Sequence, residues 1–146
     1  KVLFSSLFLI AVDASTKFFA QAIPPLGIAL FNFSGISFSL DFLTNTGVAW
    51  GLFQGFPLVL LLLRLFIIAA LIFYLFSNRN LSIPFTLILS GAIGNVIDLV
   101  CYGHVIDFLH FRFFNWSFPV FNFADSCISI GAILLLFSPR KKHVNV

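Results

Sequence analysis

The 146-residue chain is 60% hydrophobic and 9% charged, where an average soluble domain has roughly 25% charged residues. So few charges cannot cover a globule in water, which excludes an ordinary soluble enzyme and leaves lipid to face the apolar surface. The net charge of +3 sits at segment ends rather than on one basic face, so nucleic acid is not the expected partner.

The length predicts a single domain over 1–146. A membrane-spanning helix needs about 20 mostly apolar residues, and four are predicted, over about 2–20, 57–76, 82–101 and 125–138. The first carries Asp13 and Lys17, which the core of a cleavable signal peptide would not. Four residues apart, with the acid N-terminal to the base, they share a helix face. A structural ion pair that lets the helix enter the bilayer is the expected reading. Direct catalysis by Lys17 is the sharper one.

Residues 24–56 alternate apolar and polar positions between Pro, Gly and Ser (Ile28 to Phe33, then Ile36 to Leu40), which predicts short, half-buried strands. In Asn45-Thr-Gly-Val-Ala-Trp50, Asn45 and Gly47 suit a turn and Trp50 an interfacial anchor. The second helix begins at Pro57, stops before Ser77-Asn78-Arg79-Asn80, and carries Arg64 inside. The third has Pro84 in its first turn, where proline is tolerated. Within it, Asn95 and Asp98 share a face, and Gly91 and Gly94 permit close helix approach. This is either a polar site in a bundle or a hydrogen-bonded packing network.

After an aromatic and polar interfacial segment at 102–124, Pro139 stops the fourth helix. Asp107 follows the third helix and Asp125 opens the fourth, so both lie near one interface. Taken singly, Asp125 is equally an N-cap, and Asp107 a partner for Arg112 or an interfacial anchor. His104, His110 and His143 have no metal-ligand spacing, and no metal or cofactor is expected. Cys101 and Cys127 read as small apolar fillers. Four spans put both termini on one side. Lys1, Arg79, Arg140, Lys141 and Lys142 share that side, against Lys17 and Arg112 on the other, so the termini are expected in the cytoplasm.

Together these segments resemble the lipoprotein signal peptidase family (signal peptidase II). Asp13-Ala-Ser-Thr-Lys17 fits the family's D-x-x-[ST]-K, and Asn45-Thr-Gly-Val-Ala-Trp50 fits N-x-G-[AV]-A-[FW]. Gly91 to Asp98 fits G-x-[IL]-G-N-x-x-D-R except at its last position, where Leu99 replaces Arg. Val105 to Phe108 fits V-[VI]-D-F, and Phe121 to Ser126 fits F-N-x-A-D-S. The motifs occur in family order from Asp13 to Ser126.

The resemblance implies an all-α membrane protein: a four-transmembrane-helix bundle with a small β-rich cradle over about 24–53 and an interfacial segment on the outer face. It implies an intramembrane aspartyl endopeptidase in the bacterial inner membrane, acting as a monomer. Such an enzyme removes signal peptides from diacylglyceryl-modified prolipoproteins, cutting before the lipid-bearing cysteine of the substrate. Asp107 and Asp125 would be the catalytic pair. Asn45, Gly47, Asn95, Asp98 and Asn122 would bind substrate or support the pair, and Asp13 and Lys17 would form a structural polar pair. Leu99 removes a base that the family uses to hold the peptide, which keeps a catalytically impaired homologue in view. A small transporter or channel, with Asp13, Arg64 and Asp98 along a polar path, is the other class, although no internal repeat supports it.

Overall fold

A computed structural model describes residues 2–24, 27–47, 56–78 and 83–137. Among these, three helices are long and apolar enough to cross a membrane: α1 (Val2–Ala20), α2 (Pro57–Asn78) and α3 (Ile83–Tyr102). A fourth, α4 (Phe123–Leu136), has 14 residues, or ~21 Å at 1.5 Å per residue, short of the ~30 Å hydrocarbon core. The helices are apolar around most of their circumference. Phe4, Phe8, Phe66, Phe73 and Phe76 are all exposed, a surface costly in water and ordinary against lipid.

The bundle is organised on α3, which packs against α4, α1 and α2. Small residues permit this. A Cβ at Gly91 would run into the Ala124 carbonyl of α4, and one at Gly94 would come within 2.6 Å of Asp13 Oδ2 on α1. Gly94→Ala is therefore expected to destabilise by about 1–3 kcal/mol through overpacking. An unchanged melting temperature in detergent micelles would contradict the tight α1–α3 approach.

The segments between helices form one antiparallel sheet in the order β1-β2-β3-β4, comprising β1 (Ile28–Phe33), β2 (Ile36–Asn45), β3 (Val105–Phe113) and β4 (Trp116–Ser117). Ser34 and Gly35, both at positive φ, join β1 to β2 in the two-residue turn that matches strand twist. β2 and β3 pair from Ile36↔Phe113 to Asn45↔Val105, with an irregularity between Leu40 and Leu43. Ile106 and Phe108 of β3 pack on Ala20 at the end of α1, which seats the sheet on the bundle.

Several expectations are corrected. The chain is not all-α: the 102–124 segment supplies β3 and β4 and joins the 28–45 strands in one sheet, because period-2 pairing with β2 buries Ile106, Phe108 and His110. β1 is exposed along its length, not half-buried, because nothing among the described residues covers an edge strand beyond β2. α4 starts two residues before Asp125, because Asn122 caps it. α2 runs on to Asn78, and α3 spans 83–102 rather than 82–101. Val48 to Phe53, including Trp50, and Lys1, Arg79, Pro139, Arg140, Lys141, Lys142 and His143 lie outside the described residues, with the charges on which the orientation rests.

Candidate active site

Lys17 is 1% exposed, in the interior of the bundle. Its Nζ lies 2.8 Å from Asp13 Oδ2, an ion-pair contact rather than an aligned hydrogen bond. It also lies 2.7 Å from Asp98 Oδ2 and donates to Asn95 Oδ1 at 3.0 Å. Three oxygens thus surround an ammonium that has three protons. The expected pair is a cluster of three ionisable groups, and its carboxylates do further work. Asp13 Oδ1 accepts the Ala124 amide at 2.9 Å, and Asp98 Oδ2 accepts the Ile106 amide at 3.2 Å. The Ala124 amide is one of the first-turn donors that a helix cannot satisfy internally. The cluster therefore ties α1, α3, α4 and β3 at one point.

Asp107 is placed by the sheet. Its neighbour on the same face is Asn45, opposite Val105 in the β2–β3 register, and Asn45 Nδ2 donates to Asp107 Oδ2 at 2.9 Å. Asn45 Oδ1 accepts from the Gly47 amide at 2.9 Å, a local turn that fixes which end of the amide faces the acid. Asn122 Nδ2 donates to the other carboxylate oxygen, Asp107 Oδ1, at 2.7 Å. Asp107 is 1% exposed. Burial, and next the negative charge of Asp125, push its carboxyl up to about 7, against the opposing hydrogen bonds from Asn45 and Asn122.

Asp125 is not the N-cap of α4; Asn122 is. Asn122 Oδ1 accepts the Asp125 amide at 2.9 Å, and Asp125 Oδ2 accepts the Asn122 amide at 3.3 Å, a reciprocal capping box. Asp125 Oδ1 accepts from Asn95 Nδ2 at 2.8 Å. The cap thus fixes one edge of the Asp125 carboxylate while Asn95 holds the other oxygen. Asn122, fully buried, bonds to both aspartates. Asn95 joins this pair to the Lys17 cluster.

Five of the singled-out residues, Asn45, Gly47, Asn95, Asp107 and Asp125, line one cavity of about 630 Å³. Asn122, Asp98, Asp13 and Lys17 stand behind its wall. The rest of the lining is largely apolar and includes Val105, Phe118, Phe121 and Ile128. Arg64 also lines it, although its position inside an apolar helix gave no sign of what it would meet. Among the described residues, no group of three His, Cys, Asp or Glu is arranged to hold a metal. Cys101 and Cys127 are free thiols, exposed and buried respectively.

Sequence reasoning missed a polar cluster on the sheet. Arg112 does not pair with Asp107, but lies 3.3 Å from Asp41 Oδ2. His110 Nδ1 also bonds Asp41 Oδ2, while its Nε2 lies 2.6 Å from Ser117 Oγ. Burial alone would raise the Asp41 carboxyl, but the His110 hydrogen bond, aided by the charges of His110 and Arg112, holds it below the usual carboxylate range. The cluster ties β2, β3 and β4. No spacing announces it, since 41, 110 and 117 meet only through strand register.

A model of the signal peptidase (SPase) II family matches residues 5–139. A lipoprotein signal peptidase of Chlamydia pneumoniae is 45% identical over 107 residues, covering 69% of this chain and 63% of that protein, so the chain spans less than two thirds of that relative. A lipoprotein signal peptidase of Fusobacterium nucleatum is 38% identical over 151 residues, covering 97% of this chain and 90% of that protein. Two solved bacterial membrane enzyme structures superpose with TM-scores of 0.79 and 0.80 at 28% and 27% identity, covering 99% and 97% of this chain and 93% of each of theirs.

Proposed function

The chain belongs to the signal peptidase II family, and from that premise we propose that it is an aspartic endopeptidase cutting signal peptides from diacylglyceryl-modified bacterial prolipoproteins, just before the lipid-bearing cysteine. The observation that carries the reading is the pair of carboxylates, buried Asp107 and half-buried Asp125, lining one cavity and both accepting hydrogen bonds from Asn122.

Peptide hydrolysis needs a base to take a proton from the attacking water and an acid to protonate the carbonyl oxygen or the departing amine. Two carboxylates facing one cavity cannot both ionise cheaply, so they share one proton. The ionised member activates water. Water oxygen bonds to the scissile carbonyl carbon, and the C–N bond breaks as the other member delivers its proton toward nitrogen. The two titrate as a pair and exchange roles within the cycle. Asn45, Asn95 and Asn122 hold the carboxylates in place, Gly47 fixes the Asn45 turn, and Asp98 orients Lys17 and β3. The reading places the bundle in the bacterial inner membrane, α1, α2 and α3 spanning it and the shorter α4, packed on α3, making the fourth pass, with both termini cytoplasmic and the cavity near the outer leaflet. The enzyme acts as a monomer on the lipidated substrate.

The test is cleavage of a lipidated prolipoprotein by the purified chain in micelles, followed by mass across pH. The Asp107 carboxyl at about 7 sets the sign. Above that pH the shared proton leaves, both acids are ionised, and no acid remains for the amine. Turnover is expected to fall as pH rises through about 7. Rates flat to about pH 9, two units beyond that carboxyl, or equal cleavage of unlipidated precursor, would overturn the reading.

A further inference from the structure

We infer that Arg64 holds a main-chain carbonyl of the bound peptide, through its Nη1. The inference rests on the proposed peptidase reading and adds to it the group that receives the substrate backbone. One guanidinium nitrogen is already anchored, since Nη2 donates to the Gly47 carbonyl at 3.1 Å. Gly47 is itself tied to Asn45, the residue that bonds Asp107. The planar fork is therefore set in register with the aspartate pair. The other nitrogen, Nη1, is buried and has no hydrogen-bond partner among the described residues. A buried donor without an acceptor is rare and costly, and this one belongs to a residue lining the cavity that contains both acids.

The chemistry of the acceptor follows from its surroundings. Arg64 makes no ion pair among the described residues, although Asp107 and Asp125 are the charges acting on it. An anionic ligand at Nη1 would add a second negative charge to a cavity whose aspartate pair already holds one. A neutral oxygen would not, and the mostly apolar lining around it suits a hydrophobic peptide. A backbone carbonyl beside the scissile bond satisfies both conditions. Leu99, where the family motif has Arg, does not line this cavity. Arg64 reaches the site from a different helix.

The test measures binding and turnover separately. Arg64→Leu and Arg64→Lys are made in the full chain and again with Asp107→Asn, and the lipidated peptide is titrated onto the latter at equilibrium. Arg64→Leu is expected to weaken binding about ten- to a hundredfold, the range for a hydrogen bond to a charged donor, and to raise KM more than it lowers kcat. The decisive arm uses peptides in which single backbone amides near the cut are replaced by an alkene. At one position the loss seen with Arg64 present disappears in Arg64→Leu. Where Arg64→Leu does not fold, Arg64→Lys carries the comparison, with a reduced loss at that same position. Additive losses at every position would overturn the inference, because a guanidinium that only braces Gly47 has no carbonyl to couple with. If Asp107→Asn still cleaves, the peptidase reading fails. If Asp107→Asn is inactive and binds equally well with or without Arg64, the inference alone fails.

Discussion

Replacing Asp107 or Asp125 by Asn is expected to lower cleavage of a lipidated prolipoprotein by about 10²–10⁴-fold, the usual contribution of a positioned acid or base, with the fold retained. At 107 the amide keeps the shape of the carboxyl and avoids burying a charge. The amide nitrogen faces a conflict, because Asn45 and Asn122 both present donors to this side chain. Flipping Asn45 would pass the conflict to the Gly47 amide and flipping Asn122 to the Asp125 amide, so the variant loses one hydrogen bond, about 1 kcal/mol, which is too little to unfold the chain. At 125 the amide oxygen still accepts the Asn122 amide, so the capping box survives. The measurement is single-turnover cleavage alongside a melting curve in micelles. Near-parental turnover by either variant would refute the paired-acid assignment. Loss of turnover together with a collapsed melting curve at both positions would assign the two acids to the fold instead.

The second large effect is on stability. Lys17→Met removes the cation from between Asp13 and Asp98, both at least 95% buried. Breaking a buried ion cluster on one side costs about 3–5 kcal/mol, because the remaining charge is left uncompensated. For a domain of this size that corresponds to a melting shift of roughly 10 °C. The cost is raised here because Asp13 also accepts the first-turn Ala124 amide of α4 and Asp98 also holds the Ile106 amide of β3. Neutralising the partners, as in Asp13→Asn with Lys17→Met and Asp98→Asn, is expected to recover part of the loss, since no bare charge then remains. A melting temperature for Lys17→Met within a degree or two of the parent would show that the cluster does not brace the bundle. Full recovery of activity in the triple variant would show that the charge of Lys17 is dispensable to the aspartate pair, to which Asn95 links it.

Much of the candidate site is legible in residue spacing alone. Asp13 and Lys17 sit at i, i+4 and Asn95 and Asp98 at i, i+3, and those spacings put side chains on one helix face wherever the helix goes. The Asn122–Asp125 capping box is local too, two residues three apart, but spacing alone does not say which of the two is the cap. The misleading positions are as informative. By sequence Asp125 suits the cap itself, because the long apolar run begins just after the acid; the cap is Asn122. The 105–113 stretch has the composition of an interfacial segment. Its strand character depends on β2, a partner some 60 positions away in sequence that no local window contains.

From residues alone come the lipid medium, the helical spans to within about two residues, the order of the motifs and most of the polar residues at the site. These are properties of composition and short-range period, which hold whatever the chain does next. Only the tertiary structure decided which oxygens surround Lys17, that two loops become one sheet, that His110 joins Asp41 to Ser117, and that Arg64 opens onto the cavity of Asp107 and Asp125. Each of those depends on the approach of distant segments, set by the small residues of α3 and the β2–β3 register. A side chain's spacing along the chain says which face it occupies, but the packing of that face against another element says what it meets.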